Sequence, residues 1–497
     1  MLLRATAVKD SVAPAAPQAE GLECDQPRND VSLLVACARH PDRAAATARA
    51  ADLTAKALDA TGRGLDLTQA DLSGLDLSGF DLRYATLNRA ALFGTKLVGA
   101  DMTGASMVCA GLERTDFTDA VLRGAYVHAL AAQASTFVRS DLTGLVDATG
   151  ALFHGCDLTG ARLDNAELAG TTFYQCGLSG TQAEGADLHG AAFSECRMDG
   201  ADLARARLDD VTITRSSLSK LVLDHARGDG LVVQRPTRGD GVRLIDAHLP
   251  GLRLVHVRAR HLAAAGLHAP GIDVDRCQLP GADFSDADLS GGRWRHVNLD
   301  AAKLAGSVLT HSFLRQVSAV EADLTDATGG GLTASECTFA SAVLAGFAGR
   351  YVTFRNCDLR SADLRGAYLY RSSFIGDPPA SACMVEALLD GANLTQAYLA
   401  ADFTGASIRH AWATYARINQ SILQGADLCG TSLFRASAVK TQFDGAAMDG
   451  QRGAMFADRC SGLVTALRAA GDGASRQAAE VVEEMTALLR RDSGKST

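Results

Sequence analysis

From Leu67 onward a large apolar side chain returns at every fifth position, through Leu72, Leu77 and Leu82 and on to Phe137 and Leu142. A small residue stands two places before most of these, and the other three positions are polar or glycine. A period of five fits neither the 3.6-residue repeat of a helix nor the alternation of a strand, so neither kind of amphipathic element accounts for most of the chain. A second interval is superimposed on the first. Phe153-His154-Gly155-Cys156-Asp157-Leu158 is echoed at Phe173-Tyr174-Gln175-Cys176-Gly177-Leu178 and at Phe193-Ser194-Glu195-Cys196-Arg197-Met198, each copy 20 residues after the last. Four fives make twenty. The pattern therefore predicts a coil of four five-residue sides, with residues 20 apart stacked at about 4.8 Å and backbone hydrogen bonds running from coil to coil.

The pattern comes in blocks. The first ends at Leu142, and Leu145 to Gly150 shifts the register by one; the second runs from Phe153 to Leu223. From His225 to Gly241 the period lapses, and Gly228-Asp229-Gly230 with Pro236 to Gly241 predicts an ejected loop. The third block runs from Leu244 to Phe374. Asp377-Pro378-Pro379 then marks an insertion to about Leu389, and the last block shifts between Leu399 and Phe403 before fading near Met448. Interruptions are thus expected near 143–152, 225–243 and 376–390. The count gives on the order of 17 coils, a rod of roughly 80 Å.

Outside the repeat the signals are helical. Residues 1–29, with Pro14 and Pro17, read as a flexible arm. Residues 30–61 read as a helical cap over the first coil: Asp30 as N-cap of a short helix, then a second from Asp42 to about Ala60 ended by Gly62 and Gly64. A solenoid needs such a cover, because an open strand edge invites aggregation. The coil itself is assigned to 62–460. Residues 461–497 contain a short helix through Leu463, Val464 and Leu467, and a longer one whose apolar face carries Val481, Val482, Met485, Leu488 and Leu489. That face either covers the last coil or pairs two chains.

The units Ala70-Asp71-Leu72-Ser73-Gly74, Ala201-Asp202-Leu203-Ala204-Arg205 and Ala362-Asp363-Leu364-Arg365-Gly366 resemble pentapeptide repeats, and the likeness extends over roughly residues 62–455. The resemblance implies an all-β solenoid, a right-handed quadrilateral β-helix with short helices at both ends. In it the central Leu or Phe and the small residue two places earlier point inward, and the rest face solvent. It also implies two kinds of partner. Some members of that family accompany bacterial secretion systems, and certain shorter ones bind DNA gyrase or topoisomerase by imitating duplex DNA, conferring fluoroquinolone tolerance. Some dimerise through C-terminal helices, which adds a homodimer to the reading of the last helix.

Composition narrows the chemistry. The 497 residues are 47% hydrophobic but only 5% aromatic, with 49 glycines. Lys and Arg number 48 against 57 Asp and Glu, a net charge of −9, so direct nucleic-acid binding is not expected. No apolar run reaches membrane-spanning length, and Met1 to Val8 does not form a secretory signal, which makes the cytoplasm the expected compartment. The 12 cysteines contain no C-x-x-C pair. Cys156, Cys176 and Cys196 fall on one inward column, as do Cys277, Cys337 and Cys357, and read as small buried hydrophobes. Neither H-E-x-x-H nor G-x-S-x-G occurs, so no catalytic residue is assigned and no enzyme or cofactor is expected.

Three candidate surfaces remain. Seven of the 12 histidines lie between His225 and His311, and His248, His268 and Asp288 share an outward column in which a metal could sit. Residues 225–320 carry 12 basic and 9 acidic side chains, net +3, against 6 and 11 in residues 152–224, net −5. Arg295, Arg315 and Arg355 share a column, and Arg350, Arg355, Arg360 and Arg365 ring one coil. Asp66, Asp71, Asp76 and Asp81 ring another. The expected function is a noncatalytic protein-interaction scaffold; DNA mimicry is the second reading, supported by the aspartate ring, and a metal site on the central coils is the third.

Overall fold

The computed structural model describes residues 27–376, 382–453 and 455–493. Its body is a parallel β-solenoid of about 18 turns with a helical pair at each end. Each turn is four-sided: Asp66, Asp71, Asp76 and Asp81 pair in parallel with Thr86, Ala91, Lys96 and Asp101 of the next. One side is regular enough to form a 17-stranded parallel sheet. Backbone bonds run along the axis. Leu72 N–H donates to the Ala91 carbonyl one turn on, and Ala91 N–H donates back to Ala70, both at 2.9 Å.

The interior is the five-residue pattern turned inward. Leu67, Leu72, Leu77 and Leu82 are fully buried, as are the inward residues Phe80 and Ala85. Rings one turn apart stack face to face: Phe153 on Phe173 at 5.0 Å and Phe173 on Phe193 at 4.9 Å, within 11° of parallel. Many inward polar groups are satisfied by one recurring bond, Ser307 Oγ and Trp294 Nε1 being exceptions that find no partner among the described residues. Thr95 Oγ1 donates to the Leu72 carbonyl at 2.9 Å, Thr181 Oγ1 to Leu158 at 3.0 Å, and the Cys176 and Cys196 thiols to Phe153 and Phe173 at 3.3 Å. Where this bond forms, a hydroxyl or thiol replaces alanine at the small inward position without leaving a buried donor unpaired.

Each corner places one residue in the left-handed region. Where it is not glycine, the chain uses residues such as Asn165 (φ 54°) and Asp210 (φ 54°). An aspartate before the central residue closes many of these turns by accepting from the backbone N–H two residues on; Asp101 takes Thr103 N–H at 3.0 Å and its hydroxyl at 2.6 Å.

Helix α1, Pro27–Ala38, and α2, Arg43–Thr61, lie over the first turn. Asp30 belongs to the first turn of α1 instead of capping it, and its carboxylate accepts from Asp66 N–H at 3.1 Å. The expected arm is shortened accordingly, because 27–29 are helical; residues 1–26 lie outside the described residues. Asp42 caps α2 and Gly62, at φ 66°, ends it. Arg43 donates to the Asp76 and Ser78 carbonyls at 2.6 and 2.5 Å, and Thr54 Oγ1 to the Asp81 carbonyl at 2.5 Å. At the far end α3, Leu463–Ala469, and α4, Gly473–Ser493, cover the last coil, with Leu467, Ala479 and Val482 buried. Among the described residues no helix is long and apolar enough to cross a membrane.

Two interruptions differ from expectation. Residues 225–241 are not ejected. Val232–Gln234 is a strand of the sheet, and Ser217 pairs with Arg238 and Val222 with Arg243, so the turn simply contains 21 residues. Gly228 and Gly239 take central positions where a Cβ would strike the neighbouring backbone, which is why this turn has glycine where others have leucine. The second insertion is shorter than 376–390. Asp358 pairs with Cys383 and Asp363 with Leu388, so the coil has resumed by Ala382 with Met384 and Leu389 buried, and five residues are added. Asp377-Pro378-Pro379 lies outside the described residues. The other shifts are an added residue between Val146 and Leu152, a missing one between Leu399 and Phe403, and another missing between Arg452 and Phe456.

Candidate interaction surfaces

Three outward positions per side, repeated along the axis, give the rod its chemistry. On much of it, charge is arranged as pairs that cross from one turn to the next. Arg139 meets Asp119 through two bonds of 2.8 and 2.7 Å, Arg207 meets Asp187 at 3.3 Å, and Lys303 meets Asp283 at 3.6 Å. Each pair is exposed and worth little alone, but together they leave a surface of alternating sign.

The expected rings are not patches. Successive members are five residues apart and so face four different sides. Asp81 is bound bidentately by Arg83, and Asp76 pairs with Arg43 of the cap at 3.0 Å. Asp71 accepts from Ser73 N–H and Asp66 from Thr68 N–H, so these carboxylates close turns or hold the N-terminal cap. Arg360 and Arg365 are each held bidentately by the aspartate two residues earlier, Asp358 and Asp363. The hydrogen bond from Arg365, opposed by partial burial, lowers the Asp363 carboxyl below its ordinary range. In the arginine column, Arg295 binds Asp273 at 2.9 Å and Arg315 lies 3.9 Å from Glu336; Arg355 occupies the same column two turns on.

The histidine column forms as expected but does not converge. The His248 and His268 rings stack at 4.3 Å, 12° from parallel, and His268 Nδ1 lies 3.1 Å from Asp288. Stacked faces direct their nitrogens sideways instead of onto one point, and among the described residues no three His, Cys, Asp or Glu form a metal-sized group. The other five histidines of this region have a backbone explanation: His225, His256, His261, His296 and His311 all sit at corners with φ between 54° and 57°, a conformation histidine tolerates better than most residues.

Cys156, Cys176, Cys196, Cys277, Cys337 and Cys357 are buried free thiols. Burial pushes Cys277 up to about 12. Of the helix residues read as a dimer face, Val482 is buried and Val481 is exposed, while the side chains of Met485, Leu488 and Leu489 lie outside those described.

One cluster escaped the sequence reading. On the side carrying Ala348, Tyr368, Asn393, Trp412 and Ser432, which pair in that order, Tyr351, Tyr370, Tyr415 and Phe434 crowd the outward positions. Arg371 lies 5.2 Å over the Tyr370 ring and Arg435 5.3 Å over Phe434.

With the four-sided coil and its inward residues in place, family comparison decides what kind of chain this is. The model described as "Pentapeptide repeats (8 copies)" matches residues 63–97, 85–124, 350–376 and 414–450, and that described as "Pentapeptide repeat region" matches 146–223. The chain belongs to the pentapeptide-repeat family. Solved pentapeptide-repeat structures are similar over part of it. HetL, involved in heterocyst differentiation regulation in Nostoc sp. PCC 7120, is 22% identical, covering 52% of this chain and 92% of its own, with a TM-score of 0.19. QnrB1, a plasmid-mediated fluoroquinolone resistance protein, is 14% identical over 40% and 92%, with a TM-score of 0.17. A pentapeptide-repeat protein of the Arabidopsis thaliana thylakoid lumen is 25% identical over 29% and 66%, with a TM-score of 0.11. No curated protein sequence matches the chain.

Proposed function

We propose that this pentapeptide-repeat protein is a noncatalytic scaffold, a rod whose sides bind protein partners. The observation that carries this reading is the arrangement of outward charge in alternating cross-turn pairs such as Arg139 with Asp119 and Lys303 with Asp283. Such a surface offers many distinct local faces on one stiff frame. A duplex-DNA mimic needs the opposite, a continuous negative field, and here the aspartates of the first turn are engaged by Arg43, Arg83 and the turn backbone.

Affinity capture on the full chain from its host's lysate tests this, with gyrase supercoiling measured alongside. The scaffold reading expects a protein retained in stoichiometric amount and supercoiling unchanged. Recovery of gyrase or topoisomerase subunits with inhibited supercoiling would establish mimicry instead, and failure to retain any protein would end the scaffold reading.

A further inference from the structure

We infer that the aromatic and arginine-bearing side between Ala348 and Arg435 is the docking face for an acidic, extended segment of a partner protein. This rests on the scaffold reading and gives it a place and a chemistry.

The side comprises 347–351, 367–371, 392–396, 411–415 and 431–435, and those 25 residues include Arg350, Arg371 and Arg435 and no Asp or Glu. Many arginines elsewhere on the rod meet carboxylates, as Arg139 meets Asp119 and Arg243 meets Asp224; here all three meet rings. Arg350 lies 5.3 Å from the Tyr368 ring centre, Arg371 5.2 and 6.0 Å from those of Tyr370 and Tyr351, and Arg435 5.8 Å from that of Tyr415. Arg371 donates to Tyr351 Oη at 3.3 Å and Arg435 to Tyr415 Oη at 3.2 Å. Among the described residues no carboxylate pairs with any of the three. Their positive charge is therefore positioned but not neutralised, on a platform that costs little further ordering when a partner arrives.

The apolar component is exposed. Trp412 is 63% accessible, the highest of the large apolar side chains among the described residues, and Tyr351, Phe434 and Tyr415 on the same side are 55, 45 and 43% accessible. Trp, Tyr and Arg are the residues that most often dominate protein interfaces. The chain has only 2 Trp and 8 Tyr, so gathering one Trp and four Tyr on a single side is a concentration, not a background.

Charge selects the occupant. Cationic side chains without a local acid fit carboxylates, whereas a nucleic-acid strand would meet only three arginines on a molecule of net charge −9. Geometry selects its form. Arg371 and Arg435 are three turns apart, roughly 14 Å at strand spacing, which is the span of about four residues of extended chain. Carboxylates four residues apart would meet both guanidinium groups while intervening side chains cross Trp412 and Tyr415.

The test selects random twelve-residue peptides displayed on phage against the immobilised full-length protein, then measures the enriched peptide by fluorescence anisotropy. Wild type is expected to enrich peptides rich in Asp and Glu, and the selected peptide should bind at least about tenfold more weakly to W412A/Y415A and to R371E/R435E. Both variants alter outward side chains, and unchanged thermal unfolding would verify that they fold. No enrichment, enrichment of basic peptides, or equal binding to the variants would overturn the inference. Twelve-nucleotide oligothymidylate serves as a second probe: if it binds wild type and is lost with W412A/Y415A while peptides are not enriched, the face belongs to nucleic acid. A captured cellular partner that binds W412A/Y415A as well as wild type would sink this face and leave the scaffold standing. If no cellular partner is captured while peptides behave as expected, the scaffold reading falls and the face remains only as a surface that binds acidic peptides.

Discussion

Gly292 stands against the indole of Trp294, so closely that a methyl group on it would lie 2.8 Å from Nε1 and 2.9 Å from Ile272 Cγ2. Trp294 is the largest buried side chain of the solenoid and takes a central position of the kind most often held by Leu or Phe. The glycine at the small inward position supplies its space. Gly292→Ala should therefore cost about 1–3 kcal/mol by overpacking, and Trp294→Leu in the same chain should recover part of it. Chemical denaturation of the three proteins checks this; an alanine variant as stable as the parent would contradict it.

Leu289 is fully buried and Asp71 faces outward. Leu289→Asp places a charge in a closed interior and should prevent the surrounding turns from folding. Asp71→Ala removes only an exposed turn-closing acceptor and should barely move the melting midpoint. Circular dichroism melts of both distinguish the outcomes, and equal tolerance would refute the inward register.

Acid should weaken the fold. Asp472 accepts from Gly450 N–H at 2.6 Å and from Ser475, which holds its carboxyl at about 2, and the Arg365 bond lowers Asp363. A folded value below the unfolded one, about 3.9, means stability that is present above that value and lost as pH falls toward the folded value. The melting midpoint should be flat between about pH 5 and 7 and decline from about pH 4 to 2. Asp472→Asn should reduce the lower part of that decline by removing one titrating group. A midpoint that rises on acidification would exclude the mechanism.

Thiol reactivity should follow the columns. Cys109 is exposed, while Cys156, Cys176, Cys196 and Cys277 are buried. Native alkylation followed by peptide mass spectrometry should label Cys109 within minutes and those four only after denaturation. Rapid native labelling of Cys176 would place the column on the outside.

The two intervals of five and twenty were enough to read the four-sided coil, its inward positions and the helical character of both ends, because each repeat contacts only its neighbours and local pattern fixes local structure. What escaped depended on exact turn length. Gly228-Asp229-Gly230 and Pro236 suggest a loop by composition, yet one added residue and two central glycines absorb them within the coil. The aromatic side was hidden for the same reason. Tyr368 is followed by Asn393 after 25 residues and Trp412 after 19, so a strict twenty-residue count assigns these residues to unrelated columns. The histidine excess was visible, but its cause lies in corner backbone conformation, which residue spacing alone did not reveal.

Nearly every backbone bond between turns lies along the rod axis. Tension applied at the two ends therefore loads each turn's four columns as a zipper, and the molecule should yield one coil at a time instead of all at once. Each 20-residue coil released would lengthen the chain by roughly 65 Å, giving a compliant tether under load from a body that is stiff against bending.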